Sequence, residues 1–318
     1  MQIVKNPNFN FVRWRWQAIA FSLVVILAGA FVVGTRGLPL GVEFAGGSIV
    51  IVKFDQMPPI DRVRDAVPHA VVQPYGPAEN RELMLRVAQT GAESGGNLSQ
   101  AAEAVVDALT KANLGKFEVV GTEIVGPVVG EQLKRQGVLA TVLALAGILA
   151  YIALRFQLSF AVGAVVATLH DLFICLAFLA FFRYDLTLNV IAGLLTITGY
   201  SVNDTIVIFD RVRENMRSMR RDNLPHIVNV AVNQTLARTI ITAGTTLLSV
   251  TALYLFGGEV LKGFAFTMLV GIISGTYSTV FIAAAIAIML QGRKPLKGQA
   301  AAPAPAAAAR KPGRRRAS

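Results

Sequence analysis

The sequence predicts an α-helical polytopic membrane protein with six transmembrane helices and an α+β domain inserted between the first and second. Three observations carry this prediction. The 318 residues are 54% hydrophobic and only 15% charged, whereas a soluble globular chain carries about 25% charged residues. Six stretches approach or exceed the roughly 20 apolar residues that a spanning helix needs: 17–34, 137–154, 158–182, 188–209, 239–256 and 264–290. Only residues 35–136 have the composition of a soluble domain. The chain therefore divides into residues 1–34 (N-terminus and first span), 35–136 (inserted domain), 137–290 (five further spans) and 291–318 (a basic tail).

The formal charge of +11 raises nucleic acid as a partner, so the placement of the charges decides. With the N-terminus inside, the inside segments are 1–16, the turn at Arg155, 210–238 and the tail. They hold 18 basic and 3 acidic residues, against 12 basic and 14 acidic outside. This is the positive-inside pattern of a membrane protein with both termini cytoplasmic and residues 35–136 outside. No specific nucleic-acid partner is expected. The first span follows Arg13 and Arg15 and carries Ala28-Gly29-Ala30, which resembles a cleavage site; it is expected to be retained as a helix. One cysteine, Cys175, excludes an internal disulfide, and His69, His170 and His226 are too scattered for a metal cluster, so neither metal nor cofactor is expected.

Within the inserted domain, residues 48–54 (SIVIVKF) form a β-branched run and read as a strand. Residues 59–67 have helical spacing, 70–73 a short strand, and 82–87 (ELMLRV) alternate as a third strand. Residues 97–112 place Ala101, Val105, Ala108 and Leu109 on one helical face, and 117–124 make a fourth strand. The order βαββαβ suits a ferredoxin-like sheet. No Ser/His/Asp set or glycine-rich phosphate loop occurs in it, so its expected role is binding or mechanical. Gly46-Gly47 on one side, and Gly126-Pro127 with Gly130 on the other, are expected to hinge the domain on the bundle.

Ionisable residues inside spans mark functional pathways. Asp204 lies seven residues before Arg211, about 10 Å inside the membrane edge at about 1.5 Å per residue. Tyr200 and Ser201 stand at i−4 and i−3 from it, and Asn203 beside it. In the fifth span Arg238, Thr242, Thr245 and Thr246 share a face. Antiparallel spans four and five place Asp204 and Arg238 at similar depth. Such a pair is either a proton-operated switch, with protonation of the acid releasing the arginine, or a static link between two helices. His170 and Asp171 are adjacent in span three and are expected to point in different directions, Asp171 serving as hydrogen-bonding residue or relay. Gly271 with Gly275, and Ser274 with Ser278, form small-xxx-small pairs expected to pack helices closely. Residues 210–217 continue span four as a polar helix near lipid headgroups, and the Ala/Pro-rich tail reads as disordered.

Residues 193–215, GLLTITGYSVNDTIVIFDRVREN, closely resemble the fourth-span signature of the SecF family of protein-export membrane proteins. QTLART at 234–239 is similar to that family's fifth-span motif. VGPVVG at 125–130, His170-Asp171, Gly263-Phe264 and GTYS at 275–278 match in order and spacing. The likeness covers roughly residues 10–292. It departs after the first span, where Glu43 stands in place of the usual aspartate, with Ala45 and Ser48 beside the glycines.

The resemblance implies a non-enzymatic subunit of the Sec translocase in the bacterial inner membrane, similar in architecture to SecD and to resistance-nodulation-division transporters. It implies partnership with SecD, commonly YajC, and the SecYEG channel, and use of the proton motive force to complete export of unfolded polypeptide. The family's proton-conducting residues map by motif to Asp204 and Arg238, with His170, Asp171, Tyr200, Ser201, Asn203 and Thr242 as candidates for relay or support. Rival readings are a half-sized proton-driven exporter of small molecules, a structural scaffold, and an intramembrane aspartyl protease using Asp171 and Asp204. The last lacks a Gly-x-Gly-Asp motif to accompany Tyr184-Asp185.

Overall fold

A computed structural model describes residues 7–88, 96–155 and 158–291. The basic tail anticipated to be disordered lies outside these residues. Asn10 opens a single 3-10 turn, Phe11–Trp14, by accepting from the Arg13 amide, and α1 (Arg15–Arg36) follows. Just before and at the start of that turn, the backbone of Phe9 and Phe11 is held by the side chains of Asn229 and Asn233, which replace the missing helical partners of this strap.

After α1 comes the inserted head. A single turn, α2 (Val42–Ala45), leads through Gly46 and Gly47, at φ 71° and 137°, into β1 (Gly47–Phe54). Only glycine adopts these angles without strain. The head continues with α3 (Ile60–Ala66), β2 (Ala70–Tyr75), β3 (Glu82–Ala88), α4 (Gly96–Lys111) and β4 (Phe117–Val125). The sheet order is β2-β3-β1-β4, all neighbours antiparallel, which is the ferredoxin-like arrangement. Alternation in β1 and β3 sends Val50, Val52, Phe54, Leu83 and Leu85 to one face, where they bury against Val63 and Leu109. The opposite face, with Ile49, Ile51 and Met84, overlooks the end of the bundle across a cleft of about 350 Å³.

Beyond the head run α5 (Pro127–Arg155), α6 (Leu158–Phe182), α7 (Leu188–Ser218), α8 (Leu224–Phe256) and α9 (Glu259–Ser278). A π-helical turn at Thr279–Ala283 then leads into α10 (Ala284–Gln291). Together with α1 these make six segments long and apolar enough to cross a membrane among the described residues, α9, the π turn and α10 acting as one. Helices α7 and α8 outrun the hydrophobic stretches. Thr187 caps α7 by accepting from Val190 N, and Asn223 caps α8 by accepting from His226 N. Helices α7 and α9 lie close because Gly271 and Gly275 carry no Cβ: one at Gly271 would fall 2.3 Å from Ile197 Cγ1, and one at Gly275 3.1 Å from Ser201 Cβ.

The exposed faces of α1 and α5 are apolar, with Phe21, Val24, Phe31, Val142 and Leu143 turned outward, as suits lipid. Exposed positions of α7 and α8 are of another kind: Thr196, Asn203, Arg238, Thr242, Thr245 and Ser249 interrupt Ile240, Ile241 and Leu248.

Asp185, in the loop between α6 and α7, meets Arg86 of β3 at 2.8 Å. Burial raises its carboxyl above the usual aspartate value and outweighs the lowering by Arg86. Arg86, Glu43 and Glu123 of the head, Arg183 of the same loop, and Glu259 and Lys262 of α9 are the other charges around this cleft wall. A raised folded value means that the folded protein holds this proton more tightly than the unfolded chain. The resulting contribution to stability is complete below the unfolded value and is lost as pH rises through the folded one. The ion pair itself follows the opposite course. Asp185→Asn is expected to flatten this part of the pH profile in thermal-unfolding scans run between about pH 4 and 7.

Candidate functional site

Asp204 sits on α7 where the helix crosses α8. Its Oδ1 accepts from Thr239 Oγ1 at 3.0 Å, and Thr239 is buried against α7. Its Oδ2 is also buried but has no hydrogen-bond partner among the described residues. Stripping a carboxylate oxygen of water without replacing its donors is costly. A proton, a water or a donor from outside the chain would relieve that cost.

The expected Asp204–Arg238 contact needs correction. The two residues do share a depth, since Thr239 bonded to Asp204 is the neighbour of Arg238. Yet they form no ion pair among the described residues, and the Arg238 side chain is exposed on the outer face of α8. Successive residues on a helix point about 100° apart; with Thr239 directed at α7, Arg238 is turned away from it. Thr242 follows Arg238 onto that face and donates back to the carbonyls of Arg238 and Thr239. Asn203 is likewise exposed.

Ser201 does not face Asp204. It is buried between α6 and α9 and donates to Asp171 Oδ2 at 2.5 Å. Asp171 also accepts from Ser278 on the same oxygen (2.8 Å), and from Ser274 (2.7 Å) and His170 Nδ1 (3.0 Å) on Oδ1. Three helices, α6, α7 and α9, thus converge on one carboxylate whose oxygens are both occupied. The expectation that His170 and Asp171 point apart fails: both lie on the buried side of α6, and the imidazole swings along the helix to its neighbour. Ser274 and Ser278 do more than allow close packing, as they are donors to this acid. Their signal was available as two hydroxyls one turn apart in a span, though without the partner's identity.

His170 Nε2 is buried without a hydrogen-bond partner among the described residues, and its ring stacks on Tyr277 at 6.2 Å. Tyr277 donates to Ala18 O of α1 at 2.7 Å and accepts from Ser22. Thr205, next to Asp204, shares a hydrogen bond of 3.0 Å with Thr279 at the start of the π turn. Tyr200 is half-buried in the apolar cluster of Leu172, Ile197 and Ile272. Polar side chains therefore form a layer from α1 to α8, with Asp204 at its outer limit and Asp171 at its centre. Among the described residues the two aspartates share no hydrogen-bond partner: Asp171 is held by Ser201, Ser274, Ser278 and His170, and Asp204 by Thr239. Among the described residues no three His, Cys, Asp or Glu are grouped to hold a metal.

At the head, Gly130 of α5 packs beneath the α2 turn, where an added Cβ would stand 3.3 Å from Phe44 O. Pro127 opens α5, and a Cβ on Gly126 would meet open space. The two chain connections into the head, through Gly46-Gly47 and through Gly126-Pro127, thus abut one another.

Residues 105–293 match the family model described as protein export membrane protein SecD/SecF, C-terminal, and residues 31–56, which include the two glycines, match the SecD/SecF GG motif. The chain belongs to the SecD/SecF family. Among its relatives, the protein translocase subunit SecF of Koribacter versatilis is 35% identical over 96% of this chain and 97% of its own length. SecF of Vibrio alginolyticus is 39% identical over 91% and 92%, and that of Escherichia coli O157:H7 38% over 89% and 88%. Among solved structures, SecDF from Thermus, a translocon-associated membrane protein, superposes with a TM-score of 0.79 at 32% identity over 91% of this chain. The chain spans 39% of that longer SecDF chain. The SecD/SecF family architecture, a helical membrane bundle bearing a small α+β domain, is that of this multi-pass protein.

Proposed function

We propose that this chain is the SecF subunit of a Sec translocase, working beside SecD in the bacterial inner membrane. In this reading both termini are cytoplasmic and the head is periplasmic. The subunit uses the proton motive force to promote late steps of polypeptide export through SecYEG, with YajC as a further associate. The observation that carries the reading is Asp204 Oδ2, a buried carboxylate oxygen without a donor among the described residues, at the depth of an outward-facing Arg238.

An arginine exposed to lipid is expensive. The polar stripe of Asn203, Arg238, Thr242 and Thr245 therefore calls for a membrane partner, and a SecD-type bundle fits. The long edge strand β4, with Val119, Val120 and Ile124 exposed, gives the head a second surface for the same partner. Proton arrival at Asp204 removes a charge from this interface and changes what Arg238 and the partner must satisfy. One charge crossing 100 mV supplies about 2.3 kcal/mol, which shifts a two-state equilibrium about 50-fold. Asp171 and His170 serve as support: they hold α6, α7 and α9 in one register.

Vesicles bearing this chain with SecD and SecYEG should complete export faster when a proton gradient is imposed than when it is collapsed by an uncoupler. Equal rates would overturn the reading. Copurification of a different six-helix partner in place of SecD would favour a small-molecule exporter.

A further inference from the structure

The head is joined covalently to α1 and α5, yet neither helix carries Asp171, Asp204 or Arg238. Movement in the polar layer has a more direct route. Leu40, at the entrance to the head, forms a parallel bridge with Leu186 in the loop between α6 and α7. Gly41 N donates to Leu186 O and Leu186 N donates to Pro39 O, each at 2.8 Å. Beside this bridge, Arg86 of β3 donates through Nη1 to Asp185 Oδ2 at 2.8 Å and to Leu40 O at 3.1 Å. The two charged side chains are 15% and 19% exposed, so the pair is shielded from water and salt far better than a surface ion pair.

The same five residues, 183–187, reach α6, α7, α8 and α9 near their head ends. They follow the last turn of α6, and Thr187 caps the first turn of α7. Tyr184 shares a hydrogen bond of 2.9 Å with Tyr254 of α8 and stacks on Phe266 of α9 at 4.5 Å. The cleft next to this contact leaves the sheet room to tilt.

We propose that Arg86 and Asp185, with the Leu40–Leu186 bridge, form the latch that transmits movement of α6 and α7 to the head. The proposal rests on the proton-coupled reading given above. Arg86 and Asp185 are positioning residues in it: they bind neither the proton nor the exported chain. The latch stays closed while the elbows at Gly46-Gly47 and Gly126 accommodate the swing.

The test replaces the ion pair by a covalent link. In the full complex with SecD and SecYEG, Asp185→Ala should lower proton-driven export about tenfold, within the range of couplings between contacting residues, while SecD association and Asp204-dependent proton uptake persist. Adding Leu40→Cys and Leu186→Cys and oxidising them should return export to within about threefold of the wild type, and reduction should abolish the rescue. The native Cys175 is buried and leaves this readout clean. Export unaffected by Asp185→Ala, or a loss that oxidation fails to restore, overturns the latch. A second measurement stands apart from export. Spin labels at Glu79→Cys in the head and Leu255→Cys on α8 should give a distance distribution that broadens with Asp185→Ala. An unchanged distribution overturns the latch even if export proves not to be proton-driven, whereas broadening without proton-driven export sinks only the functional reading.

Discussion

Asp204→Asn is expected to abolish the proton-driven component of export while leaving the subunit folded and assembled. The amide keeps the shape of the carboxylate and can still accept from Thr239 Oγ1, as Asp204 does. It also removes a charge whose Oδ2 has no donor among the described residues, so stability is expected to hold or rise. What the amide cannot do is take and release a proton. Loss of a positioned proton-transfer group costs about 100-fold or more, which here means a fall to the rate seen without a gradient. Proteoliposomes with SecD and SecYEG give both measurements: export with and without the gradient, and proton uptake. Wild-type values for both with Asp204→Asn in place would remove Asp204 from the mechanism. Arg238→Met, which changes the exposed face and leaves Asp204 with Thr239, is expected to weaken SecD association or proton uptake rather than folding of the lone chain.

These residues also show where sequence reasoning has its reach. Depth along a span follows from counting, so Asp204 and Arg238 were placed at one level, and Thr239 confirms that level by its bond to Asp204. Azimuth between two helices does not follow from counting, because it depends on crossing angle and on which neighbour claims which face. Thr239 takes the side towards α7, and Arg238 is left outside. The sheet was legible for the opposite reason: a period of two fixes both faces at once, and Val50, Val52 and Phe54 alternate with Ile49, Ile51 and Lys53. The one-turn α2 helix was too short to leave a pattern. The start of α8 at Leu224 was hidden by Asn229, Asn233 and Gln234, which depress hydropathy, although Asn223 followed by Pro225 is a helix-start signal. The bonds to Asp171 from Ser201, Ser274 and Ser278 join residues 30 to 107 positions apart, and no local rule reaches that far.

Asp171→Leu is expected to be the most destabilising single change in the bundle. It removes the acceptor from three serines and one histidine, all buried. Each orphaned buried donor costs about 1–3 kcal/mol, but the sum is smaller than four separate terms. Ser278 already has Gly275 O within 3.2 Å, and serines in helices can turn to a carbonyl one turn back. A net loss of about 3–5 kcal/mol, as for removing one partner of a buried charged network, is the expected scale. Thermal unfolding in detergent should show it as a fall of roughly 10 °C or more. Asp171→Asn separates packing from proton handling. Its carbonyl oxygen keeps two acceptor sites, and its NH2 can be accommodated by a serine that rotates to accept, so most of the stability should return. If Asp171 is purely structural, export per folded molecule will then equal that of the wild type. If Asp171 and His170 also carry protons, export per folded molecule will stay low and its pH profile will shift, because the amide holds the three helices together but cannot exchange a proton with His170.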